Sequence, residues 1–121
     1  VKTNGCARAL LALLALTAPC SAQEWIPLAK STGAKNIWEA HAGSFQKTDA
    51  GASLLTRERR SDSPRIVFRR EYVSLSDCQA GHGQLITSDP DGKNSFSTAF
   101  VLEGESIAAS IAGRLCRLRA R

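Results

Sequence analysis

Two segments decide how this chain is read: Cys78-Gln79-Ala80-Gly81-His82-Gly83-Gln84-Leu85 and, further on, Ser106-Ile107-Ala108-Ala109-Ser110-Ile111-Ala112-Gly113-Arg114-Leu115-Cys116. The second has a helical period. Ile107, Ile111, Leu115 and Leu118 fall on one side of a helical wheel, Ala108 and Ala112 widen that side toward Cys116, and Ser110, Arg114 and Arg117 take the opposite edge. Glu103 and Glu105 precede it, where acids suit the positive end of a helix dipole, and Arg117, Arg119 and Arg121 suit the other end. In the first segment, Gly81 and Gly83 are the glycines of a tight corner. The pattern predicts a strand pair followed by a helix, stapled back to the sheet by one disulfide between Cys78 and Cys116.

That pairing depends on the start of the chain. Lys2 and Arg8 lead into an apolar run, Ala9 to Leu16, which is too short to cross a hydrocarbon layer of roughly 30 Å. Thr17-Ala18-Pro19-Cys20-Ser21-Ala22 then ends in small residues, so residues 1–22 are read as a signal peptide cleaved between Ala22 and Gln23. Val1, in a chain without Met, fits a GTG start read literally. A lipidated Cys20 is the other reading of this segment, and Pro19 directly before the cysteine argues against it. Removing 22 of 121 residues leaves 99, as a single domain at 23–121 with no further apolar run long enough to span a membrane. It takes away two basic residues and no acid, so the net charge falls from +5 to +3, and the cysteines fall from four to two. Two cysteines in an exported chain are most simply a disulfide.

Strands fill the interval. Glu24 to Ala29 reads as an edge strand because Pro27 cannot donate to a central ladder. Asn36 to Ser44 alternates, with Trp38, Ala40 and Ala42 on one face and Glu39 and His41 on the other. Phe45 to Gly51 is a polar loop or hairpin turn, and Ala52 to Arg60 is a strand. Arg65 to Val73 puts Ile66, Phe68 and Tyr72 on one face; Arg70 falls on that apolar side, which predicts a bulge or a snorkelling side chain. Asp89-Pro90-Asp91-Gly92 is turn chemistry between the strands Gln84–Ser88 and Ser95–Leu102. The fold class is α+β: an antiparallel β-sheet of about six strands with a C-terminal α-helix packed on it and one disulfide.

Candidate chemistry is sparse. Cys78-x3-His82 with Cys116 and the isolated His41 lacks the spacing of a metal site. Asp89-x-Asp91-Gly92-x-Asn94 lacks the order of a calcium loop and has Phe100 where a bidentate Glu belongs. No metal and no cofactor is expected. A Ser-His-Asp order, a paired-carboxylate pocket and a glycine-rich phosphate loop are all missing, which points away from an enzyme. What remains is basic: Arg57, Arg59, Arg60, Arg65, Arg69 and Arg70 gather on two adjacent predicted strands and their turn. Guanidinium forks suit sulfate, phosphate and carboxylate, so these residues form a candidate surface for an anionic partner, with a plain solvated strand face as the bland alternative. Nucleic acid fits poorly, because the chain is read as exported.

Trp25, Cys78, Gly104 to Ile107 and Cys116 together resemble the surface-adhesin protein E-like group of Gram-negative bacteria. The resemblance implies a curved antiparallel sheet with a disulfide-tethered C-terminal helix, a homodimer in many cases, and exposure at the outer surface. There it would bind an extracellular-matrix or plasma protein; an anionic glycan is the partner that the arginine patch by itself suggests. Without a good lipidation motif the anchoring differs, and the alternative is a soluble periplasmic accessory or inhibitor module that docks a protein partner.

Overall fold

Pro27 marks one edge of the sheet. The structure, a computed structural model, describes residues 24–121, so the signal peptide, its cleavage site and Cys20 lie outside the described residues. Strand β1 (Trp25–Lys30) has one neighbour, β2 (Asn36–His41), and the register shifts between Pro27 and Ala29. Proline has no N–H for a ladder and is confined to edges and bulges. The chain continues through β3 (Gln46–Lys47), β4 (Gly51–Arg60), β5 (Ile66–Ser74), α1 (Leu75–Ala80), β6 (His82–Ser88), β7 (Phe96–Val101) and α2 (Ile107–Arg119). All pairings are antiparallel, in the order β1-β2-β4-β5-β6-β7, with the two-residue β3 added to β4. The sheet is open.

Helix α2 covers one face only. Ala40, Ala52, Leu54, Val73, Leu85 and Phe100 rise from the strands to meet Ala108, Ala109, Ile111, Ala112 and Leu115 of the helix. The helix contributes mostly small residues, which let its backbone lie close to the sheet. Leu115 and Val73 are completely buried and Leu54 is nearly so. At the start of β4, Gly51 sits where any side chain would run into the Val73 carbonyl and the Tyr72 hydroxyl.

Both helices are capped as their sequences dictate. The Ser106 hydroxyl accepts the Ala109 N–H at 3.0 Å, satisfying a donor that the first helical turn leaves free. Helix α1 was not legible as a helix in the lead-in to Cys78, yet its signals are present. The Ser74 hydroxyl accepts the Asp77 N–H at 3.1 Å, and Gly81 closes the helix at φ 83°, a left-handed conformation that glycine adopts without steric cost. The Gly81 corner thus terminates a helix and starts β6. The disulfide joins Cys78 on α1 to Cys116 on α2, with the Cα atoms 5.5 Å apart. It therefore links helix to helix, and α1 in turn lies against β4, β5 and β6. At the far end of α2, Arg119 donates to the Thr48 carbonyl at 2.7 Å and to the Gly51 carbonyl at 3.3 Å, fastening the helix to the β3–β4 turn.

One strand places its faces differently from a simple apolar count. In β5 it is Glu71 and Val73 that are buried under the helix side, while Ile66 and Phe68, on the other side, are 43% and 51% exposed. Pairing decides this. Leu54 lies opposite Glu71 and Ala52 opposite Val73, so the β5 residues that share a face with the buried β4 positions are the odd-numbered ones. The β4–β5 register is continuous past Arg70, so there is no bulge; its Nε instead donates to the Pro90 carbonyl in the β6–β7 turn at 3.0 Å.

Candidate binding face

The strand face away from α2 carries a concentrated mixture of aromatic, apolar and basic side chains. Adjacent residues of a strand point to opposite faces, so the six arginines divide. Arg57 and Arg59 of β4 and Arg70 of β5 belong to the uncovered face, together with Ile66 and Phe68; Arg57 lies opposite Phe68, and Arg59 opposite Ile66. Arg60, Arg65 and Arg69 lie on the helix side. There they border a hollow of about 240 Å³ with Asn36, Glu58 and Val67. Arg60 is held by Asp62 through two bonds of 2.9 and 3.0 Å, and Arg69 stands 4.0 Å from Glu58.

On the uncovered face the side chains form one cluster. The Arg57 guanidinium carbon lies 4.3 Å from the centre of the Trp25 ring, a cation–π contact. The same Trp25 ring meets His41 edge-on at 5.2 Å and Phe68 at 6.0 Å. Glu39 ties the cluster down from beneath: Arg57 donates to it at 2.8 Å, and Arg59 at 2.9 and 3.3 Å. Glu39 is 7% exposed. Burial works against its charge, but the hydrogen bonds and positive charges of Arg59 and Arg57 outweigh that and hold its carboxyl below the usual range. Two arginines on one buried carboxylate leave a net positive charge at the surface, in a rigid arrangement.

A pH dependence follows. The Glu39 carboxyl has a lower pKa folded than unfolded, so the stability it contributes is complete above the ordinary glutamate pKa and is lost as pH falls through the folded value. Glu39→Gln is expected to cost about 1.5–3 kcal/mol at pH 7, the scale of charged hydrogen bonds. The difference between variant and parent should shrink toward zero in urea titrations taken down to pH 3. A constant difference across that range would show that charge is not what Glu39 contributes.

Sequence reasoning singled out the arginines but passed over Trp25, Ile66 and Phe68 as site residues. The signal was the Ile66, Phe68, Tyr72 alternation, which marked an apolar face without showing that no layer covers it. The fold and this face together define an α+β domain with one sheet surface closed by a helix and the other presented to solvent. Comparison of the chain with known protein families, with curated proteins and with solved structures found no match.

Proposed function

We propose that this protein is an exported, non-enzymatic binding protein of the adhesin-like type, which holds a matrix or plasma protein through the helix-free face of its sheet. The observation that carries this reading is the Trp25–Arg57–Phe68 cluster on an uncovered, seven-stranded sheet. Tryptophan and arginine dominate the energetics of protein interfaces, because each buries a large area while keeping a polar handle. Here Glu39 pre-sets the arginines, so little side-chain freedom is lost on docking. Charge gives the partner its sign. Among the strand residues of this face, Arg57, Arg59 and Arg70 stand against a single acid, Glu39, so an acidic protein surface is complementary. Ile66 and Phe68, about half exposed, favour a protein surface over a glycan, since they need apolar area to cover them.

The test is retention of the purified protein on a panel of immobilised matrix and plasma proteins, with heparin as the glycan arm. Phe68→Ser combined with Arg70→Ser, both away from the core, is expected to weaken the best retained interaction about tenfold or more. Arg60→Ser with Arg65→Ser, on the other side of the sheet, should leave it unchanged. Retention only on heparin, insensitive to Phe68→Ser, would replace the protein partner by a glycan. Protection of the protein from external protease on intact cells would move the partner into the periplasm. No retention on any member of the panel would defeat the reading.

A further inference from the structure

On the opposite side of the sheet, a cleft of about 220 Å³ opens between the strands and the first turns of α2. Glu71 lines it and is 2% exposed. The Thr87 hydroxyl donates to one carboxyl oxygen at 2.6 Å and the Thr56 hydroxyl to the other at 3.2 Å. Both threonines are themselves buried. Two hydroxyl donors on two oxygens suit a carboxylate, but among the described residues no cation pairs with it. Arg69, two residues earlier on the same face, is the nearest candidate. It is directed to Glu58, at 4.0 Å, and to the Phe96 ring, at 5.8 Å.

The walls of the cleft are apolar and aromatic. Leu85, Ile107, Ala108 and Ile111 form the lining against the core, and Trp38 and Phe96 flank it. The charged groups bordering it are Glu58, Glu71 and Arg69, which sum to one negative charge when both carboxyls are ionised. In a chain of net charge +5 this is a locally acidic spot. Burial raises the Glu71 carboxyl above its usual range, with the Thr87 and Thr56 hydrogen bonds and Arg69 offsetting only part of that. It is the ionised form of this buried carboxyl that is costly without a cation, and a ligand that brings one offsets part of that cost.

We infer that this cleft binds a small organic ammonium ion, with the charged nitrogen at Glu71 and Thr87 and an apolar body between Trp38, Phe96 and the Ile107–Ile111 turn of α2. The size fits: a protein cavity of about 150 Å³ takes up benzene, so this one has room for a ring-sized body and a short arm. The Trp38 and Phe96 rings offer apolar area to cover such a body. An anion would place its charge beside Glu58 and Glu71. A neutral molecule would leave Glu71 without a counter-charge. The site is separate from the helix-free face and stands or falls without it.

The probe is phenethylammonium chloride, titrated into the isotopically labelled protein at pH 7.5 and followed by amide and indole shifts. Saturable shifts are expected at Trp38, Thr87 and Ile111, with 2-phenylethanol and 3-phenylpropionate at least about tenfold weaker, as the loss of a charged hydrogen bond implies. Glu71→Gln should weaken phenethylammonium by about tenfold or more and leave 2-phenylethanol unchanged. Should that variant fail to fold, Thr98→Trp, at an exposed wall position, is expected to abolish binding by filling the cleft. Equal binding of the ammonium and the alcohol, preference for the carboxylate, or undiminished binding by a folded Glu71→Gln or Thr98→Trp protein would each overturn the assignment.

Discussion

Replacing Cys78 and Cys116 together by Ala is expected to lower the free energy of unfolding by about 4 kcal/mol. The two residues are 38 apart in sequence, and closing a loop of that length removes roughly this much conformational freedom from the unfolded chain. For a domain of this size, whose total stability lies in the range of about 5–15 kcal/mol, the loss leaves little in reserve. The effect belongs mainly to the unfolded state, so the folded variant should keep the same α2 contacts and the same circular dichroism. Urea unfolding of parent and variant, each with and without reductant, checks it. Reductant should bring the parent down to the level of the variant and leave the variant unmoved. A loss below about 1 kcal/mol would mean that the unfolded chain is far less free than the loop-closure argument supposes.

The second large effect is expected from Leu115→Ala, at about 3 kcal/mol. Leu115 is fully buried, and removing a buried leucine side chain costs about 2–5 kcal/mol, depending on how far the neighbours relax into the space. Relaxation is restricted here. The next residue, Cys116, is bonded to α1, and Arg119 holds the following turn to the Thr48 and Gly51 carbonyls, so α2 cannot shift to fill the gap. The two predictions are therefore coupled. In the Cys78→Ala, Cys116→Ala background the helix is freer to move, and Leu115→Ala should cost less, by more than the 0.3–0.5 kcal/mol or so within which independent sites add. A double-mutant cycle by urea unfolding measures this. Strict additivity would show that the disulfide does not hold the helix in register.

The parts of the fold written in local chemistry were legible in the sequence. Pro27 placed the edge strand, Asp89-Pro90-Asp91-Gly92 the hairpin, and the Ile107, Ile111, Leu115 spacing the packed helix, because each signal acts within a few residues. The short helix α1 carried its cap signals at Ser74 and Gly81 and was missed because six residues are too few to show a period. The choice of buried face on β5 was not local at all. Ile66 and Phe68 make the better apolar stripe, yet the helix lies on the side of Glu71 and Val73, and that follows from the β4 register and the position of α2. The same parity divides the arginines: Arg59 and Arg60 are neighbours in sequence and must point to opposite faces. Glu71 looked like an ordinary polar strand residue. Its burial becomes visible only when Thr56 and Thr87 arrive from the two flanking strands.

Helix α2, which closes the core, is also the last of the described elements in chain order. During synthesis, Leu54 emerges 61 residues ahead of Leu115, which at ordinary ribosomal rates is about 3–12 s. Until Leu115 and Cys116 follow, Leu54, Val73 and Leu85 lack the cover that α2 gives them in the folded protein, and Cys78 lacks its partner. The order of the elements thus sets the order of events. Closure of the core therefore comes after the strands, and the cross-link can form only once Cys116 has been made.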